Sequence, residues 1–127
     1  MPLVKIELRK GMDANFLSVL QEQTMNAITT VLCLLEDDRN VRQIEYENSN
    51  FCMKNPYKIL IEITMFSGRS DEIKKKLFGE IVNNLSDYLN IPPTEVFIVI
   101  NEQPKSNWSV RGGIPASEID LGFKIDV

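Results

Sequence analysis

Apolar and charged residues alternate at the start of the chain, with Val4, Ile6 and Leu8 set against Lys5, Glu7 and Arg9. A period of two predicts a strand with one buried face, and Lys10-Gly11 ends it. The period then changes. Leu17, Leu20, Thr24, Ala27 or Ile28, Val31 and Leu35 recur at spacings of three and four, which predicts a helix from about Asp13, its candidate N-cap, to Leu35. Glu36-Asp37-Asp38-Arg39-Asn40 stops the helix, a second strand is expected over about Val41 to Glu47, and Asn48 to Pro56 reads as a connector.

From Tyr57 the same order returns. A strand spans Ile59 to Phe66, Ser67-Gly68-Arg69 turns, and Ser70 caps a helix whose buried stripe is Ile73, Leu77, Ile81, Leu85 and Leu89. Asn90-Ile91-Pro92-Pro93-Thr94 breaks that helix before a strand at Val96 to Ile100. The halves also match in letters, IEL then GMD in the first and IEI then GRSD in the second. The expected fold is α+β, two tandem βαβ units forming a four-stranded mixed sheet with both helices on one face. One domain is expected over 1–127, with repeats at 2–50 and 57–127. The strand from Ile59 to Phe66 is apolar on nearly both faces, so its second face needs a cover, and another subunit is the cheapest one. The tail Leu121 to Val127 alternates like a strand and is expected to pair with a neighbour's sheet edge.

With 127 residues, 43% of them hydrophobic, the chain can bury a real core. A net charge of −4 argues against nucleic acid as the main partner, because phosphate neutralisation needs a basic face. No apolar run is long enough to span a bilayer and the first residues carry no signal-peptide pattern, so a cytoplasmic location without membrane contact is expected. Cys33, on the apolar helix, and Cys52 are expected to be reduced thiols without a chemical role.

Histidine is absent, which removes the usual general base and the commonest metal ligand. No metal and no cofactor are expected. The group that replaces histidine most cheaply is an amino terminus. If Met1 is removed, Pro2 becomes a free secondary amine whose pKa can be set near neutrality by desolvation or a neighbouring cation. Four of the five arginines, Arg39, Arg42, Arg69 and Arg111, sit at turns or strand ends, whereas Lys74-Lys75-Lys76 reads as an ordinary solvated helix surface. Arg69 suits a bidentate clamp on a carboxylate. Arg111-Gly112-Gly113 reads as a turn requiring positive φ, with any ligand contact secondary.

Pro2 lies nine residues before Gly11, and MPLVKIEL, IEITMFSGRSDE and NWSVRGGIPASEIDLGFKIDV occur at 1–8, 61–72 and 107–127. Together these segments resemble the tautomerase superfamily founded by 4-oxalocrotonate tautomerase. The length is similar to that of its fused two-unit members, such as malonate semialdehyde decarboxylase and cis-3-chloroacrylic acid dehalogenase. The resemblance implies a homotrimer without cofactor or metal. It also implies that Pro2 is the catalytic proline, that Arg69 binds a substrate carboxylate, and that Asp38, in an Asp38-Arg39 pair, assists the proline. Trp108 would be a wall of the site, and Arg39, Arg42 and Arg111 would complete substrate binding.

Departures from the pattern narrow the reading. Met12 and Phe97 stand where arginines are expected, and Arg42 reaches the equivalent first-unit place only with a one-residue gap. Ile59 aligns with Pro2 and has no free amine, so one active site per chain is expected. The implied activity is a tautomerase moving a proton on a small 2-oxo or enol carboxylate. A decarboxylase or hydratase of a short oxo acid is the alternative enzyme, and a catalytically silent oligomeric binding protein is the alternative from another class. The dehalogenase is disfavoured because it needs a histidine.

Overall fold

A computed structural model describes residues 1–120. Strand β1 (Leu3–Arg9) leads to helix α1 (Ala14–Val31) and strand β2 (Val41–Tyr46). Strand β3 (Ile59–Phe66), helix α2 (Asp71–Leu89) and strand β4 (Val96–Gln103) repeat that order, and the short strands β5 (Ser109–Arg111) and β6 (Ile114–Pro115) follow as a hairpin. The sheet order is β2-β1-β3-β4. Each βαβ unit pairs its own strands in parallel, and the two units meet antiparallel at β1 and β3. The expected mixed sheet and repeat are therefore present. The expected tail strand over 121–127 lies outside the described residues.

Corresponding residues of the two halves are 57 apart, as Gly11 and Gly68 are. Leu3 pairs with Thr64 and Glu7 with Leu60, Val4 pairs with Val41 and Ile61 with Ile98, so this offset holds across the sheet. Gly11 and Gly68 both sit near φ of 130°, at 128° and 131°, where an L side chain is strained. They let both strands turn sharply into their helices.

Hydrophobic patterning places the core between the sheet and the two helices. Ile6, Ile28, Ile61 and Ile81 are fully buried there, each contributing about 1.5–3 kcal/mol of transfer free energy. Asp13 caps α1 by accepting from the Phe16 N–H at 2.8 Å, and Ser70 caps α2 by accepting from Ile73 at 3.3 Å. The opposite face of the sheet is less covered. Leu3 and Phe97 are each 40% exposed on it.

Helix α1 ends at Val31, four residues earlier than its periodicity predicts. Cys33 takes the left-handed conformation, φ 53°, and the Leu34 N–H reaches back to the Thr29 carbonyl at 2.9 Å, which closes the helix end. Leu35 is consequently exposed rather than part of the buried stripe, and Cys33 is an exposed free thiol rather than a helix-core residue. A non-glycine residue in this conformation is strained, so Cys33→Gly is expected to raise stability by about 0.5–1 kcal/mol in urea unfolding.

Candidate active site

The site forms where β1 begins and where the turns after α1 and β3 approach it. The Met1 amino group lies 2.8 Å from Asp38 Oδ2, and Pro2 behind it is buried. The other carboxylate oxygen of Asp38 accepts from Asn40 Nδ2 at 3.1 Å, and the same amide nitrogen lies 3.4 Å from Met1 Sδ. Asp38 is thus fixed at both oxygens. Burial lowers the pKa of the amino group below that of an ordinary α-amine; Asp38 opposes this shift, and the positive charge of Arg69 adds to it.

Arg69 occupies the positive-φ turn's exit, directly after Gly68 and before the cap of α2. The residue is 6% exposed, and its Nε and Nη2 have no hydrogen-bond partner among the described residues. A buried guanidinium without a fixed acceptor is costly, and these donors are free to receive an anion. Burial lowers the Arg69 pKa, and the charges of Glu102 and Asp38 oppose that shift. Glu102 is in turn held by Lys74 Nζ at 2.6 Å.

Trp108 closes one side. Its ring meets fully buried Phe66 edge-on with centroids 4.7 Å apart, and its Nε1 donates to the Gln103 carbonyl at 3.3 Å. Met1 and Val110 pack on the same cluster. The β5–β6 hairpin holds Trp108 in place through the Ala116 N–H, which donates to the Trp108 carbonyl at 2.8 Å. Gly112 and Gly113 at its tip have φ of 61° and 83°, as the Arg111-Gly112-Gly113 motif requires.

Of the residues expected at the site, Pro2, Asp38, Arg69 and Trp108 gather around this point. Three arginines do not join them within the chain. Arg39 donates from Nε to the Glu36 carbonyl and from Nη2 to Asn26 Oδ1, both at 2.7 Å, so it ties its turn to α1. Arg111 Nη1 donates to the Asp120 carbonyl at 3.2 Å. Arg42 is exposed opposite Lys5, and by the 57-residue offset it corresponds to Val99, whereas Asn40 corresponds to Phe97. The one-residue gap invoked for Arg42 is not what the register shows.

Glu102 and Lys74 were missed by sequence reasoning. Strand β4 runs to Gln103 rather than stopping at Ile100, because Asn101-Glu102-Gln103 pair with Thr64 to Phe66 despite their polarity. Lys74 is correspondingly not simple solvated surface. The usable signal was the length of Ile59 to Phe66, whose far end requires a partner strand.

A family model for tautomerase enzymes matches residues 38–111, more than half of the chain. A probable tautomerase YusQ of Bacillus subtilis (strain 168) is 26% identical over 122 residues, covering 89% of this chain and 95% of the relative. The 2-hydroxymuconate tautomerase of Pseudomonas putida is 34% identical over 61 residues, 48% of this chain and 95% of the relative, the span of a single repeat. Among solved structures, a malonate semialdehyde decarboxylase superposes with a TM-score of 0.81 at 19% identity, over 91% of this chain and 94% of that one. A native fused 4-OT superposes with the same TM-score at 18% identity, over 91% and 96%. The matching half of the sequence and the doubled βαβ fold agree: this chain belongs to the tautomerase enzyme family, and its activity is of the tautomerase type.

Proposed function

We propose that the start of β1 is a tautomerase active site in which Pro2, freed by removal of Met1, moves a proton on a small 2-oxo or enol carboxylate held by Arg69. The observation that carries this reading is the buried Arg69 guanidinium, with two donors unpartnered among the described residues, beside the chain's terminal amine. Met1 packs against the Phe66–Trp108 cluster, so its removal vacates space beside Arg69 and moves the free amine one residue inward. For an enol acid, the neutral Pro2 nitrogen takes the hydroxyl proton and the resulting ammonium returns a proton to carbon. Arg69 clamps the carboxylate and stabilises the negative charge that develops on the enolate. The name of the P. putida relative supports an unsaturated hydroxy acid as the substrate class.

The assembly fits this reading. One fused 4-OT superposing with a TM-score of 0.80 is a symmetric trimer, and the half-exposed sheet face carrying Leu3 and Phe97 offers the surface a homotrimer would cover. A decarboxylase of a short oxo acid is the second reading. It is favoured by the ion pair of Asp38 with the terminal amine, since a carboxylate that opposes loss of the amine's proton suits an electrophilic use of that amine.

The test is ketonisation of enolised phenylpyruvate as a function of pH. The rate should rise as the Pro2 amine loses its proton, and burial, which lowers the pKa of the Met1 amine ahead of it, is expected to act on the buried Pro2 nitrogen in the same direction. Asp38 stabilises the charged Met1 amine, and on the proposed reading it does the same for Pro2 once Met1 is gone, so Asp38→Asn should shift the acidic limb of kcat/KM to lower pH. A limb that stays in place or moves up would remove Asp38 from contact with the working amine. Release of carbon dioxide from a 3-oxo acid without enol ketonisation would favour the second reading.

A further inference from the structure

The end of the sheet opposite Pro2 holds a cavity of about 580 Å³ that the proposed chemistry does not use. The 57-residue offset makes it the counterpart of the active site. Met1 corresponds to Lys58, Asp38 to Glu95, Arg69 to Met12 and Trp108 to Phe51. The correspondence extends to the ion pair, since Lys58 Nζ lies 3.5 Å from Glu95 Oε2 as the Met1 amine pairs with Asp38. The aromatic contact differs: buried Phe51 stacks on Tyr46 with centroids 5.5 Å apart, whereas Trp108 meets Phe66, the counterpart of Arg9. Met12, Phe51, Lys58 and Glu95 all line the cavity.

What differs decides what the cavity can do. Lys58 is exposed and carries an ordinary side-chain amine, and Met12 replaces the buried arginine, so neither the base nor the buried clamp is present. Three cations line the cavity, however. Lys10 is neutralised by Glu47 at 2.6 Å and Lys58 by Glu95. Arg9 donates only its Nε, to the Phe51 carbonyl at 2.9 Å, which leaves both Nη groups without a partner among the described residues. One unbalanced guanidinium fork therefore borders a wall that includes Met12, Phe16, Phe51 and Tyr57.

We infer that this cavity is a second, non-catalytic binding site for a small aryl carboxylate. The acid group meets the Nη face of Arg9 and the ring lies on the apolar wall. The volume falls within the range of small-molecule sites, and a planar guanidinium with free parallel donors matches a carboxylate. The site does not depend on whether Pro2 is catalytic.

The experiment is titration of isotope-labelled protein with phenylacetate, which cannot enolise into the proposed reaction, followed by amide chemical shifts. Saturable shifts are expected around residues 8–16, 51–59 and 90–95, and they should persist in Arg69→Met, which removes the clamp at the other end. Arg9→Gln should weaken them about tenfold, the loss of one charge-assisted contact. Because Arg9 also holds the Phe51 carbonyl, half-exposed Met12→Trp serves as an independent variant that fills the cavity and should abolish the same shifts. Shifts confined to the Pro2 end, shifts unchanged in both variants, or no saturable shift at millimolar phenylacetate would overturn the assignment.

Discussion

Replacement of Arg69 by methionine is expected to lower kcat/KM for enol ketonisation by about 10²- to 10³-fold while leaving the protein at least as stable as before. The two halves of the expectation come from one observation. The residue is 6% exposed and two of its guanidinium nitrogens have no partner among the described residues, so it carries a desolvation cost that those two donors do not offset. Its nearby carboxylates do not bond it; Glu102 is bonded to Lys74, and Asp38 to the amine and Asn40. A residue placed for packing would be apolar here, and the corresponding position of the first half is in fact methionine. On the proposed reading, removal of the cation therefore deletes the substrate contact and breaks no hydrogen bond of Nε or Nη2 to a described residue. Steady-state kinetics and urea unfolding of the same variant check both parts. Normal kinetics together with a lowered unfolding midpoint would make Arg69 a structural residue.

Much of this arrangement is legible from local pattern. Alternation fixes β1, the spacing of Ile73, Leu77, Ile81 and Leu85 fixes the buried stripe of α2, and Asp13 and Ser70 mark both helix starts. Pro2 and Arg69 stand out because one follows the terminus and the other a glycine turn, whereas Asp38 and Trp108 are implied only by the resemblance to the tautomerase superfamily. What escaped depends on partners distant in sequence. The end of α1 is set by a left-handed Cys33, a residue that does not announce a helix stop as glycine does. The length of β4 is set by β3 rather than by its own polar residues. Arg39 looked available for a ligand because its acceptors, the Glu36 carbonyl and Asn26, are invisible until α1 packs. The register of β2 likewise appears only once β1 is paired, and it moves Arg42 two positions past the place that corresponds to Phe97.

The second large effect concerns the amine itself. In the chain that keeps Met1, the basic nitrogen belongs to Met1 and is held by Asp38, the Pro2 nitrogen is an amide, and the Met1 side chain lies on the Phe66–Trp108 wall. An amide nitrogen has no basicity, so general base catalysis by residue 2 is lost, a contribution of about 10²- to 10⁴-fold. Pro2→Ala should be milder than Met1 retention, because a processed alanine still presents an α-amine at the same place, though a primary one.

The most direct measurement is kcat/KM for ketonisation of enolised phenylpyruvate by two preparations of the same sequence, one beginning at Pro2 and one produced with methionine removal blocked, each verified by intact mass. The preparation that begins at Pro2 should be faster by at least about 10²-fold. Equal rates would contradict a mechanism in which the Pro2 amine moves the proton.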